Sequence, residues 1–295
     1  MMRTIFLFTR RSVRLFLRDK ATVFFSFLST LILIALYFLF IGKSYAQGMA
    51  DGVSNVLSSD TIYSLVYVQM IVGVLVLNSL SLSIGAFSTI AQDFEQRRVD
   101  SFLLTPIKPT SLLLAYFCGG FIISFVLNTF TWLLSIALIG GIFGYWVSLP
   151  AALAVIGILV FASMVSCSLM LLLTALVKSS AAIGVINGVT GTFLGFLCGI
   201  YMPYDALGKS VEKVGSVLPL THITIWLKQL VLGDVFTKLD VPAAAQDTML
   251  QALSANNIGL AGLELPLFAT LIYTACLALI CLFFAGKIIT RRLGK

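Results

Sequence analysis

The sequence predicts an all-α polytopic membrane protein, on three observations. Of its 295 residues, 59% are hydrophobic and only 11% charged, against about 25% charged in soluble domains. Its apolar runs are long enough to cross a bilayer core, which takes ~20 helical residues. Its basic residues gather beside those runs, as the positive-inside rule requires. The net charge of +7 is accounted for in this way, and binding to nucleic acid is not expected.

The elements follow in order. On a helical wheel of residues 1–20, Arg3, Arg10, Arg11, Arg14 and Arg18 share one sector. Ile5, Phe6, Phe8, Val13, Leu15, Phe16 and Leu17 take the opposite arc, with Leu7 the exception. The pattern predicts an amphipathic helix in the membrane interface, its arginines toward lipid phosphates; the plainer alternative is a positive-inside anchor. A first span is expected at 21–42, too long for a signal-peptide core and without a convincing cleavage site. A polar loop at 43–60 follows. The second apolar run, 61–91, exceeds what a bilayer needs and is expected to tilt or project into the cytoplasm. Further spans are expected at 111–139, 151–177, 181–201 and 265–286, giving six. Gly140, Gly141, Gly144 and Pro150 mark one turn, and Lys178-Ser179-Ser180 another. With both termini cytoplasmic, fourteen basic residues fall inside and five (Lys43, Lys209, Lys213, Lys228, Lys238) outside. Residues 202–264 then face outward. Within them 214–232 is apolar but interrupted by Pro219, His222 and Lys228, which predicts two short helices dipping into the membrane from outside or an amphipathic surface helix. Residues 243–253 have the composition of one further exterior helix. The whole chain, 1–295, reads as a single membrane domain.

The chemistry is sparse. The five cysteines lie inside apolar runs, odd in number and without metal spacing; no metal and no catalytic residue is expected. No ionisable side chain is expected deep in any span, which argues against a proton-coupled carrier and against intramembrane hydrolysis. Gly208-Lys209-Ser210 imitates the end of a phosphate-binding loop, but Pro203 replaces its first glycine. The chain therefore carries no ATPase of its own. Polar uncharged residues do enter the spans, among them Gln69 and Asn78 in the second and Asn187 and Thr192 in the fifth. Gly184, Gly188, Gly191, Gly195 and Gly199 add small-residue spacing that lets helices approach closely, either within the chain or at a subunit interface. Gln69, Asn78, Asn187, Gly188, Thr192 and Gly195 are the candidate pathway and dimer-interface residues.

The strongest local signal is a charged island at 94–109, closed by Pro106 and Pro109. Phe94, Phe102, Leu103 and Leu104 suit a groove, while Glu95, Arg97, Arg98 and Asp100 suit water. Either it is a short cytoplasmic helix held by a soluble partner, or it is a solvated loop helix.

These residues resemble the permease subunits of class-two ABC exporters. Glu95 and Leu103-Leu104-Thr105-Pro106-Ile107 match the family's cytoplasmic coupling helix, although Val99-Asp100-Ser101 stands where the family has Gly-Thr. Leu218-Pro219-Leu220 through Trp226-Leu227-Lys228-Gln229-Leu230 and Gly233 match its re-entrant stretch, with Lys228 where Arg is more usual. The resemblance implies a six-span half-transporter in the cell membrane, paired with a second permease copy or paralogue. It also implies a separate cytoplasmic ATPase subunit that holds ATP and Mg, docked on residues 94–104, and export of an amphiphilic cargo: drug, antimicrobial peptide, lipid or polymer precursor. An ion-coupled exporter, or a membrane scaffold or peptide sensor without transport, stays open.

Overall fold

The computed structural model describes residues 2–36, 39, 42–53, 59–96, 98, 108–177, 179–263 and 265–293. Twelve helices form among them: α1 (Met2–Arg18), α2 (Lys20–Leu36), α3 (Gly42–Val53), α4 (Ser59–Glu95), α5 (Pro109–Phe143), α6 (Leu149–Leu176), α7 (Ser180–Leu197), α8 (Tyr204–Leu207), α9 (Lys209–Ser216), α10 (Pro219–Lys238), α11 (Ala243–Ala252) and α12 (Leu267–Leu293). Four of these, α4, α5, α6 and α12, are long and apolar enough to cross a membrane; α1 and α2, bent by 73°, make a fifth if counted as one span. The chain is a multi-pass, all-α membrane protein.

α4 is the axis of the bundle. Its 37 residues run about 55 Å at 1.5 Å each, well past a ~30 Å hydrocarbon core. Leu65, Val66, Val68, Leu75, Leu80 and Phe87 are fully buried, and α1, α2, α3, α5, α6, α7 and α10 all pack against it. A helix apolar all round is one surrounded by protein or lipid, and here the surroundings are protein. The buried Ser79 and Ser83 do not disturb this, because each finds a partner across a helix contact. Ser79 Oγ meets Ser166 Oγ at 2.9 Å, and Ser83 Oγ donates to Ser124 Oγ at 3.3 Å.

The bend between α1 and α2 has a local cause. Asp19 caps α2, accepting from the Thr22 amide at 3.1 Å and the Thr22 hydroxyl at 2.6 Å, so the chain restarts a helix at a new angle. α1 presents three stripes. Arg3, Arg10, Arg14 and Arg18 are exposed, as are Phe6, Leu7 and Leu17, while Thr9, Ser12 and Phe16 turn inward. Small side chains on the inner stripe let α1 lie close on α5, where Thr9 donates to the Ala115 carbonyl at 3.2 Å. Arg11 departs from the expected lipid-facing set and turns to the protein.

Two further expectations are corrected. Residues 43–60 are not simply a loop, since α3 occupies Gly42–Val53 and tucks Ala46 against the bundle. The stretch 214–232 divides at Val217-Leu218 and not at His222 or Lys228, and α10 is one continuous helix from Pro219. Proline at the first helical position starts a helix because its missing N–H has no partner there anyway. His222 and Lys228 are tolerated because backbone carbonyls receive them. His222 Nε2 lies 2.8 Å from the Ser216 carbonyl, and burial holds its imidazole pKa below the ordinary value, so it is a neutral strut.

Candidate functional site

Three constellations stand out, at the foot of α4, at its middle and around α10. At the foot, Asp93 is 2% exposed. Arg11 of α1 grips it with two parallel bonds, at 2.8 and 3.0 Å, a planar fork-to-carboxylate geometry that is strong as well as directional. Tyr116 of α5 donates to the same carboxylate at 2.8 Å, and Arg98 Nη1 approaches at 3.7 Å. One carboxylate thus ties α1, α4 and α5 together, immediately before the charged island. Phe94 and Glu95 close the last turn of α4, with Glu95 exposed. Arg97, Asp100, Phe102, Leu103 and Leu104 lie outside the described residues. Sequence reasoning passed over Asp93 because it sits between an apolar run and an obvious charged segment. The usable signal was an acidic residue opposite a basic one on the neighbouring interfacial helix.

At mid-height α2, α4 and α7 enclose a cavity of about 550 Å³. Asn78, Asn187, Gly188 and Thr192, chosen from sequence, all line it, together with Thr22, Thr30, Ser81, Phe25 and Tyr201. No charged side chain lines it among the described residues. Asn78 is the knot of its inner wall. It accepts from Thr30 at 2.9 Å and donates to Thr131 at 3.1 Å and Asn128 at 3.4 Å. Asn128 in turn donates to the Leu75 carbonyl at 3.1 Å. Asn187 Oδ1 has no hydrogen-bond partner among the described residues. Gln69 and Gly195 do not line the cavity. Gln69 is buried inside the bundle at 1% exposure, and a side chain at Gly195 would collide with the Tyr201 ring. Interhelical hydrogen bonds in membranes contribute about 0.6 kcal/mol on average and up to ~1.7. Asn78→Leu, which removes several at once, is expected to cost about 1 kcal/mol and to loosen α2 from α4. A thermal unfolding series in detergent beside Ser81→Ala checks this.

The faces beside the cavity are open. Phe24, Phe25, Leu31 and Ile32 of α2 and Val185, Val189 and Phe193 of α7 are exposed. A side chain built at Gly184, Gly188 or Gly191 would touch nothing within 4 Å. Among the described residues, those three glycines therefore take no part in packing.

At the end of the bundle away from the foot of α4, Lys228, one of the residues expected to interrupt the 214–232 stretch, is fully buried. Its Nζ donates to the carbonyls of Gly199 at 2.8 Å, Leu253 at 2.7 Å and Ser254 at 3.4 Å. These lie just past the C-termini of α7 and α11, where orphan carbonyls and helix dipoles favour a cation. Gly199, at φ +60°, supplies the left-handed turn that aims its carbonyl there. Asp234 pins the other end of α10. It accepts from the Tyr145 hydroxyl and, at 2.9 Å, from the Ser148 amide. Burial favours its neutral form, but these bonds outweigh it and hold its pKa below the usual carboxylate value. No group of three or more metal-ligating side chains occurs among the described residues.

The arrangement is a polar cavity, an axial helix and a charged foot in one membrane domain. No curated protein matches the chain. A family model described as "ABC-2 family transporter protein" matches residues 54–287, which takes in α4, the charged island and every later span. The chain belongs to the ABC-2 family of transporter proteins and is the membrane permease component of an ABC transporter.

Proposed function

We propose that this permease exports an amphiphilic cargo through a pair of permeases, driven by ATP hydrolysed on a separate cytoplasmic subunit. The observation that carries the reading is that α4 runs unbroken from the cavity to the charged island. Asn78 lines the cavity, and Glu95 ends the same helix about 25 Å along its axis at 1.5 Å per residue. An unbroken helix transmits displacement at one end to the other. The open faces of α2 and α7, with their unfilled glycines, suit a second permease, identical or related, which would close the cavity into a pathway. Small residues let such helices approach closely. Uncharged polar groups beside Phe25 and Tyr201 suit a cargo with an apolar body and hydrogen-bonding groups. Six spans follow if α2 and α7 cross alongside α4, α5, α6 and α12. Both termini are then cytoplasmic, in the cell membrane, with the α1 arginines at lipid phosphates. ATP and Mg belong to the partner.

The test has two arms. A tagged chain purified in mild detergent is expected to bring down a nucleotide-hydrolysing subunit. In reconstituted vesicles, Glu95→Lys is expected to cut ATP-driven transport about tenfold while leaving unfolding nearly unchanged, since an exposed charge contributes little to stability; the double variant with Arg98→Glu, which sets a second carboxylate beside Asp93, is expected to lose transport and some stability as well. Full transport by the double variant would refute the coupling role. Transport that stops when the proton gradient collapses at constant ATP favours an ion-coupled exporter. Capture of the ATPase with no cargo movement favours a scaffold.

A further inference from the structure

A second cavity, separate from the polar one, opens between α6, α10 and α12. It measures about 620 Å³, within the ~300–1,000 Å³ typical of small-molecule sites. Gly157, Ile158 and Phe161 of α6, Trp226 and Leu230 of α10 and Leu271 of α12 line it. Around it Leu153, Phe268 and Ile272 are exposed, so its rim faces hydrocarbon. Water gains little in an apolar groove of this kind. An empty groove forfeits the dispersion contacts of its lining. A bilayer supplies the alternative directly, since an acyl chain fills such a groove at no cost in hydration.

One polar feature narrows the occupant. Trp226 is 6% exposed and stacks near Phe161 at 6.0 Å between ring centroids. Its indole N–H has no acceptor among the described residues. A buried donor without a partner costs about 1–3 kcal/mol, and a tryptophan N–H usually finds one. Gln229 does not serve: its Nε2 donates to the Ala255 carbonyl at 2.8 Å, and its side-chain oxygen makes no hydrogen bond with the indole. Leu267, the first residue of α12, also borders the groove. Gly157 lies eight residues into α6, about 12 Å down at 1.5 Å each. The groove therefore sits in the leaflet where α6 and α12 enter the membrane, within reach of the ester region.

The geometry points to a resident glycerophospholipid, one acyl chain laid between α6, α10 and α12 and an ester oxygen accepting from the Trp226 indole. Such a lipid wedges α10 against the two spans and completes the burial that a non-spanning helix needs at membrane depth.

A Cβ at Gly157 would meet nothing within 4 Å among the described residues, so Gly157→Phe starts into open space and its ring is expected to fill the groove. The same holds for Gly141, which borders no part of the groove and serves as the control. The experiment is native mass spectrometry of the full chain, reconstituted in vesicles of defined phosphatidylethanolamine and phosphatidylglycerol and released from detergent. Wild type and Gly157→Phe are compared with Gly141→Phe and with Trp226→Phe, which removes the donor and keeps the ring. Phospholipid adducts are expected on wild type and Gly141→Phe, about tenfold fewer on Gly157→Phe, and fewer that survive activation on Trp226→Phe. Equal retention on wild type and Gly157→Phe overturns the proposal, as do adducts of detergent alone. Should Gly157→Phe not fold, quenching of tryptophan fluorescence by lipids brominated along the acyl chain decides, read in Trp132→Phe with Trp146→Phe so that Trp226 reports alone. Strong quenching supports the site, and none refutes it.

Discussion

Asp93→Asn is expected to cost about 3 kcal/mol of stability, the lower end of what removing one partner of a buried ion pair costs, and to abolish coupling. The carboxylate is 2% exposed, while the Arg11 side chain is 29% exposed, so water softens the loss on the arginine side only. Asparagine keeps the shape but loses the charge. It also turns an NH₂ group toward Arg11 and Arg98, which have only N–H to offer, and the Tyr116 hydroxyl can accept from it only by giving up its present role as donor. Tyr116→Phe removes one neutral donor and is expected to cost about 1 kcal/mol. Thermal unfolding in detergent measures both. A double-mutant cycle of Asp93→Asn with Arg11→Gln separates the pair from its surroundings, and a coupling of about 2 kcal/mol is expected. If Asp93→Asn unfolds with wild type and transports normally, the node is ornamental and α1 is an anchor only.

The node also shows where sequence reading stops. Four of the six expected spans were legible because the physics that sets them is local: a run of ~20 apolar residues has little choice in a bilayer. Proline and glycine marked helix starts for the same reason, as at Pro109 and Pro219. Asn78, Asn187, Gly188 and Thr192 were legible as polar or small residues in apolar helices, and the structure brings all four to one cavity. Gln69 carried the same signal but points into the bundle. Which face of α4 it occupies depends on neighbours distant in sequence, and periodicity is silent on a helix apolar all round. Arg11 likewise shares its wheel sector with four arginines that stay exposed. Only the approach of Asp93, 82 positions away, distinguishes it. The count of basic residues places Lys228 on the outer side and is silent on its burial, which a lysine tolerates only with partners. Its partners are backbone carbonyls, which every residue carries and no composition reveals.

Lys228→Met should therefore be the second severe substitution, with a loss of about 3 kcal/mol. Methionine matches the length and relieves the burial of a charge, but it leaves the carbonyls of Gly199, Leu253 and Ser254 without the donor that now serves all three. Each buried, unsatisfied acceptor costs about 1–3 kcal/mol, and some of that returns through relaxation or a water. The pH dependence is a sharper test than the magnitude. Burial pushes the Lys228 pKa from 10.5 down to about 7. Below about 7 the folded and unfolded chains both hold the proton at this group, and above 10.5 neither does. Between those values the unfolded chain binds a proton that the folded chain has released, so stability rises with pH across this window. The neutral amine still offers two N–H donors to the carbonyls. The advantage of wild type over Lys228→Met should therefore be smallest near pH 6 and grow steadily toward pH 9. Chemical denaturation of both proteins at a series of pH values reads the difference and cancels every group they share. A gap constant over that range would mean that the carbonyls hold the ammonium charged in the folded state, and that burial does not set its proton affinity.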